Sequence, residues 1–118
     1  MEYMIIFRET ASESARLDDP QAAPAYWGAW MAYVNALQAS GHVVSGNGLQ
    51  PARTGAVVRV VNGKRQVQDG PFADVREQLS GYFILRSDSL EEVLEWAARA
   101  PCASNGSVEV RPVLPPPQ

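Results

Sequence analysis

The sequence predicts a single α+β domain, and three observations predict it. Short apolar runs of the kind that form buried strands alternate with segments of helical periodicity. Asn62-Gly63 separates two strand-like runs, the strongest hairpin signal in the chain. A length of 118 residues suits one domain and lets roughly two thirds of the unfolded chain's surface be hidden on folding.

Tyr3 to Phe7 is a continuous apolar run, the pattern of a strand covered on both faces. Residues 9–21 are polar, rich in Ala and Ser, and end at Asp18-Asp19-Pro20, so a mobile loop is expected there. Pro24 suits the first turn of a helix running to about Ser40, and Gly41 stops it. Along that helix Trp27, Trp30, Met31, Val34 and Leu37 form one apolar stripe. Residues 42–55, with Gly46, Gly48, Pro51 and Gly55, read as a turn-rich connection. Ala56–Val61 and Lys64–Gln68 are the hairpin arms, the second alternating with polar residues as a half-wet strand does.

Asp69-Gly70-Pro71-Phe72 is a turn by composition, followed by a short charged helical stretch around Ala73 to Gln78. Tyr82–Leu85 is a second buried-type strand. Ser89 with Glu92 three residues on has capping-box spacing, and Leu90, Val93, Leu94 and Ala97 supply the inner stripe of a helix ending before Pro101. Ser107–Arg111 alternates as the last strand. The domain is expected to span residues 1–113, with residues 114–118 as a proline-rich extended tail. Two helices over one face of a four-strand sheet is the ferredoxin-like split βαβ arrangement, here with an added hairpin. The first and third strands are apolar on both sides, so the opposite face is expected to be bare and to pair in a homodimer.

Composition excludes several function classes. Ten basic against 13 acidic residues, net −3, provide no general field for nucleic-acid phosphates. The lone Cys102 excludes an internal disulfide framework and a cysteine-based zinc site. Met4–Phe7 is far too short to span a membrane. No glycine-rich loop has phosphate-cradling spacing, so neither cofactor nor metal is expected. The expected location is the cytoplasm.

Three blocks in order resemble the signature of the DGPF family, which is grouped with the YCII-related domains. They are Asp69 to Phe83, Asp88 to Pro101, and Gly106 to Val113. The resemblance covers nearly the whole chain. It implies a ferredoxin-like α+β fold assembled as a dimeric α+β barrel, mostly in single-domain bacterial proteins of unestablished activity. Some relatives are fused to sigma-70-type factors, which implies a role in transcription initiation. Certain YCII relatives act on chlorinated aromatics, with a His–Asp pair as the suggested site. Their histidine lies near the start of the first helix, where Pro24 to Trp30 here contains none. Asp69 is the counterpart of the pair's aspartate.

The residues suggest further candidates. Asp69 is either a buried carboxylate facing a pocket or a cap for the Gly70-Pro71 turn. His42 is the one side chain suited by type to general-base work near neutrality. Its place past a helix C-terminus also suits a cation on the helix dipole. Arg8 and Arg86 each close a core strand. With those strands expected to lie adjacent and parallel, the two could grip a carboxylate or phosphate at one sheet end, or else pair with surface acids. Tyr26, Trp30 and Phe72, with Trp27 and Tyr33, could line a cavity between helix and sheet. Cys102 has no basic or thiol neighbour in sequence to activate it.

Three functions follow from different classes. The favoured one is a homodimer that binds a small organic acid without established catalysis. The others are a regulatory partner of a sigma factor, and a small lyase or isomerase using Asp69.

Overall fold

The computed structural model describes residues 1–70 and 76–117. A four-stranded sheet, in the order β2-β5-β1-β6, is built from β2 (Val43–Gly48), β5 (Glu77–Arg86), β1 (Glu2–Thr10) and β6 (Ser107–Pro112). The three neighbouring pairs are all antiparallel. Helices α2 (Ala23–Ala39) and α3 (Leu90–Ala98) make the two crossovers. The hairpin β3 (Ala56–Val61) and β4 (Lys64–Asp69) forms a separate two-stranded sheet. This is the expected split βαβ fold with its added hairpin.

The core lies between the sheet and the helices. Successive side chains of a strand point to opposite faces, so Tyr3, Ile5 and Phe7 of β1 all face the helices and are buried. Leu85 pairs with Tyr3, and Val110 and Val108 pair with Ile5 and Phe7, extending the same face across the sheet. Leu37, Val93 and Cys102 cover it, with Trp30 and Trp96 at the margins. Ser89 caps α3 as its spacing predicts, its hydroxyl accepting from the Glu92 amide at 3.2 Å.

Several sequence expectations are corrected. Residues 9–18 form regular elements instead of a loop: β1 runs on through Glu9 and Thr10, and Thr10 caps the short helix α1 (Ala11–Ser14), which continues as a 3₁₀ turn over Ala15–Asp18. The α2 stripe is rotated. Tyr26, Tyr33 and Leu37 are buried, whereas Trp27 and Met31 are more than half exposed. Tyrosine can serve the core because its hydroxyl finds a partner; Tyr33 donates to the Trp96 carbonyl at 2.8 Å. On α3, Val93 and Ala97 are buried while Leu90 and Leu94 stay exposed.

The turn-rich segment after Gly41 contains β2, which pairs with β5. Its glycines permit close approach rather than turns: a Cβ on Gly46 would overlap the Phe83 ring, and one on Gly81 opposite would meet the Asn47 carbonyl at 2.9 Å. Glu77 and Gln78, expected to be helical, begin β5. The rest of that stretch, residues 73–75, lies outside the described residues, as does Phe72.

The sheet face away from the helices is narrower in its apolar content than expected. Met4, Ile6, Tyr82 and Ile84 form its centre by register. Arg8, Glu109 and Arg111 border it as an ion-paired group, and Ile6 is 9% exposed. No helix among the described residues is long and apolar enough to cross a membrane.

Leu37 has no exposed surface, so Leu37→Ala is expected to cost about 2–5 kcal/mol in chemical unfolding. Ser89→Ala, which removes one cap, is expected to cost about 1 kcal/mol.

Candidate functional site

Beyond Phe7 the inward alternation of β1 places a carboxylate, Glu9, in the next interior position. It is 1% exposed. The Tyr26 hydroxyl, from the first turn of α2, donates to both of its oxygens, at 2.7 and 2.8 Å. A register shift sets the opposite wall. Phe7 pairs with Gly81 but Arg8 pairs with Leu79, so Ser80 is the extra residue of a β-bulge in β5. The Ser80 hydroxyl donates to the Phe7 carbonyl at 3.4 Å.

Glu9, Tyr26 and Ser80 lie on one cavity of about 410 Å³ between α2 and the β5–β2 side of the sheet. Phe7, Trp30 and Phe83 supply aromatic walls, with edge-to-face contacts at centroid distances of 5.1 Å for Phe7–Trp30 and 6.1 Å for Phe7–Phe83. The mouth is bordered by Trp27, Met31, Leu49 and Leu79, each 42–54% exposed. Gln38, Gln50 and Gln78 add neutral polar groups. Among the described residues lining the cavity, Glu9 is the one charged group.

Burial raises the Glu9 carboxyl above its usual range, helped by the charge of Glu13. The hydrogen bonds from Tyr26, the nearby Ser80 hydroxyl and the charge of Arg16 act the other way. Tyr26 is pushed up by its own burial and by Glu9, so it remains an un-ionised donor. Arg16 lies over the Tyr26 ring, 5.9 Å from its centroid, and pairs with Glu13 at 2.7 Å. The site is therefore a neutral phenol and an ionisable carboxyl at the floor of an aromatic cavity. It can accept hydrogen bonds from a bound molecule and exchange a proton with it.

Of the residues singled out by sequence, Tyr26 and Trp30 line this cavity. Asp69 ends β4 on the surface, opposite Ala56. His42 follows α2 and faces away from the cavity: its Nδ1 lies 3.0 Å from the Arg86 carbonyl and its Nε2 contacts the Glu92 carboxylate. The strands bearing Arg8 and Arg86 are adjacent but antiparallel, because the second of two split βαβ units enters the sheet in the reverse sense. Arg86 therefore pairs with Glu2 at 2.7 Å at one end of β1, and Arg8 with Glu109 at 2.8 Å near the other. They do not form a joint anion site. Cys102 is buried, and that burial pushes its thiol up to about 12. Among the described residues no three His, Cys, Asp or Glu side chains gather as a metal-ligand set.

Glu9 was missed because it follows a charged residue in a segment of loop-like composition. The available signal was its two-residue spacing from Phe7.

An antiparallel split βαβ sheet carrying a cavity under its first long helix defines a ferredoxin-like α+β domain. More narrowly, the chain belongs to the YCII-related domain family, which it matches over residues 1–116. It is 42% identical over 67 residues to an uncharacterised protein of Rhizobium meliloti, and spans about half of that relative's length: the match covers 55% of this chain and 54% of the relative. A solved structure with the same fold is 5-chloro-2-hydroxyhydroquinone dehydrochlorinase from Burkholderia phenoliruptrix, in complex with 2,5-dihydroxybenzoquinone. It aligns with a TM-score of 0.54 at 19% identity, covering 97% of this chain and 94% of that one.

The raised Glu9 carboxyl makes stability pH-dependent with a definite sign. In the folded chain this carboxyl titrates above the 4.5 of an ordinary glutamate, so the folded state holds the proton more tightly than the unfolded one. This contribution is present below pH 4.5 and is lost as the pH rises through the folded value, by about 1.4 kcal/mol for each tenfold difference in proton affinity between the two states. Thermal melts from pH 4 to 8 should show Glu9→Gln losing less stability across that interval than the parent chain.

Proposed function

We propose that this chain is a homodimeric, cytoplasmic protein that binds a small, uncharged, hydroxyl-bearing ring in the cavity beneath α2. The observation that carries this reading is the Glu9–Tyr26 pair at the cavity floor. An organic acid was the expectation from sequence, through Arg8, Arg86 or Asp69. A carboxylate ligand would instead meet Glu9 with no lysine or arginine among the described lining residues to offset the repulsion. A ring hydroxyl, by contrast, can donate to the Glu9 carboxylate while the ring packs on Phe7, Trp30 and Phe83. The 2,5-dihydroxybenzoquinone in complex with the dehydrochlorinase likewise carries hydroxyls on a ring, although its hydroxyls are far more acidic, which makes hydroxylated rings the natural first probes. The homodimer is supported by exposed apolar residues on the hairpin and around the cavity mouth.

A second reading, a small enzyme, is favoured by one observation: a carboxyl raised by burial can take the proton of a ring hydroxyl. Chloride release from a chlorinated hydroxyhydroquinone, present in the parent chain and lost in Glu9→Gln, would support turnover.

Calorimetry with hydroquinone and benzoate tests the binding reading. The parent chain should bind hydroquinone more tightly than benzoate. Glu9→Gln should weaken hydroquinone about tenfold, because the amide oxygen still accepts but lacks the charge that strengthens the bond. Absence of binding by either ring, or an unchanged affinity in Glu9→Gln, would contradict it.

A further inference from the structure

The β3–β4 hairpin is an amphipathic ribbon whose three valines on one face stay more than half exposed. Its register sets Val58 opposite Val67, with Val60 two residues along the same face. These three side chains, Val58, Val67 and Val60, are 58%, 51% and 71% exposed. Arg65 stands opposite Val60 at the tip end of that face, and the other face presents Arg59, Gln66, Gln68 and Lys64 around Val57 and Val61. A two-stranded ribbon is at best marginally stable alone in water, and among the described residues neither of its outer edges pairs with a further strand.

The dimensions of the chain agree with an arm that is meant to be covered. Its radius of gyration is 16.1 Å, against roughly 13.5 Å for a compact domain of this length. Its accessible surface is 7886 Å², against roughly 6,300 Å² for a compact chain of this mass. The excess, shared between the hairpin and the exposed residues 114–117, exceeds the roughly 800 Å² that each partner contributes to a standard interface.

Charge selects the partner. The hairpin carries Arg59, Lys64 and Arg65 against Asp69, whereas the whole chain has a net charge of −3. A basic arm on an acidic body is complementary to a second copy of itself. A second cluster of large exposed apolar side chains is Trp27, Met31, Leu49 and Leu79, at the cavity mouth. In a two-fold dimer each arm can reach the other body, and both unpartnered surfaces are used twice. Strands of six residues give the arm a reach of roughly 20 Å.

We propose that the hairpin is an exchanged arm, its Val58–Val60–Val67 face seated on the Trp27–Met31–Leu49 rim of a second copy, where it closes the ligand cavity. The proposal rests on the homodimer reading, and the test separates the two. Sedimentation velocity and hydrogen–deuterium exchange would be run on the full chain over a range of concentrations, for the parent and for V58D/V60D. A K64E variant, which alters charge on the face away from the three valines, would accompany them.

The expected result is a dimer in which amides of residues 56–69 and of the segment around Trp27 exchange at least tenfold more slowly than in diluted, monomeric protein. V58D/V60D should lose both protections, and K64E should weaken them. A dimer whose hairpin exchanges as fast as in V58D/V60D would overturn the arm and leave the homodimer standing. A protected hairpin with an unprotected Trp27 segment would overturn the rim as its seat. A monomer at every concentration would overturn both readings.

Discussion

The two-residue alternation of β1 is the constraint on which the rest depends. It commits Tyr3, Ile5 and Phe7 to the helix-covered face, and the same geometry carries Glu9 inward at the next position. A buried carboxylate is costly unless hydrogen-bonded, and the register of α2 answers that need with the Tyr26 hydroxyl. Once Tyr26 points at Glu9, the following helical turns deliver Trp30, Tyr33 and Leu37 to the core and leave Trp27 and Met31 outside. Thus one polar pair fixes the rotation of the longest helix.

The same pair explains why a cavity lies there. The floor must remain polar, so aliphatic packing cannot continue past Phe7 along the strand. Ser80 bulges out of β5 beside it, and Gly46 and Gly81 permit the close approaches of β2 and β5. The cavity is a consequence of how the sheet accommodates a charged residue in a core register.

Much of the fold could be read from the residues, because its signals are local. Asn62-Gly63 adopts the left-handed conformations its turn requires, with φ of 53° and 76°. Ser89 caps α3, and the order of strands and helices specifies the sheet. What escaped was set by tertiary contact. Glycines in β2 look like turn residues until the Phe83 ring is seen against Gly46. Tyr26 and Tyr33 look half-polar until their acceptors are known. Trp27 looks like core because hydrophobicity alone carries no information about which way a helix is turned. Tyr26 and Trp30 were legible as cavity residues, but Glu9, hidden in an apparently loop-like stretch, was not.

Glu9 is the proposed acceptor for a ligand hydroxyl, and carbon-13 NMR of its side-chain carboxyl reports on that directly. In the free protein the Glu9 carboxyl should titrate above the ordinary glutamate range, as burial dictates. Saturation with hydroquinone should lower that titration, because a hydrogen bond donated to the carboxylate favours its ionised form. A Glu9 that titrates as a solvent-exposed glutamate, or whose titration does not move in the presence of the ring, would contradict that role.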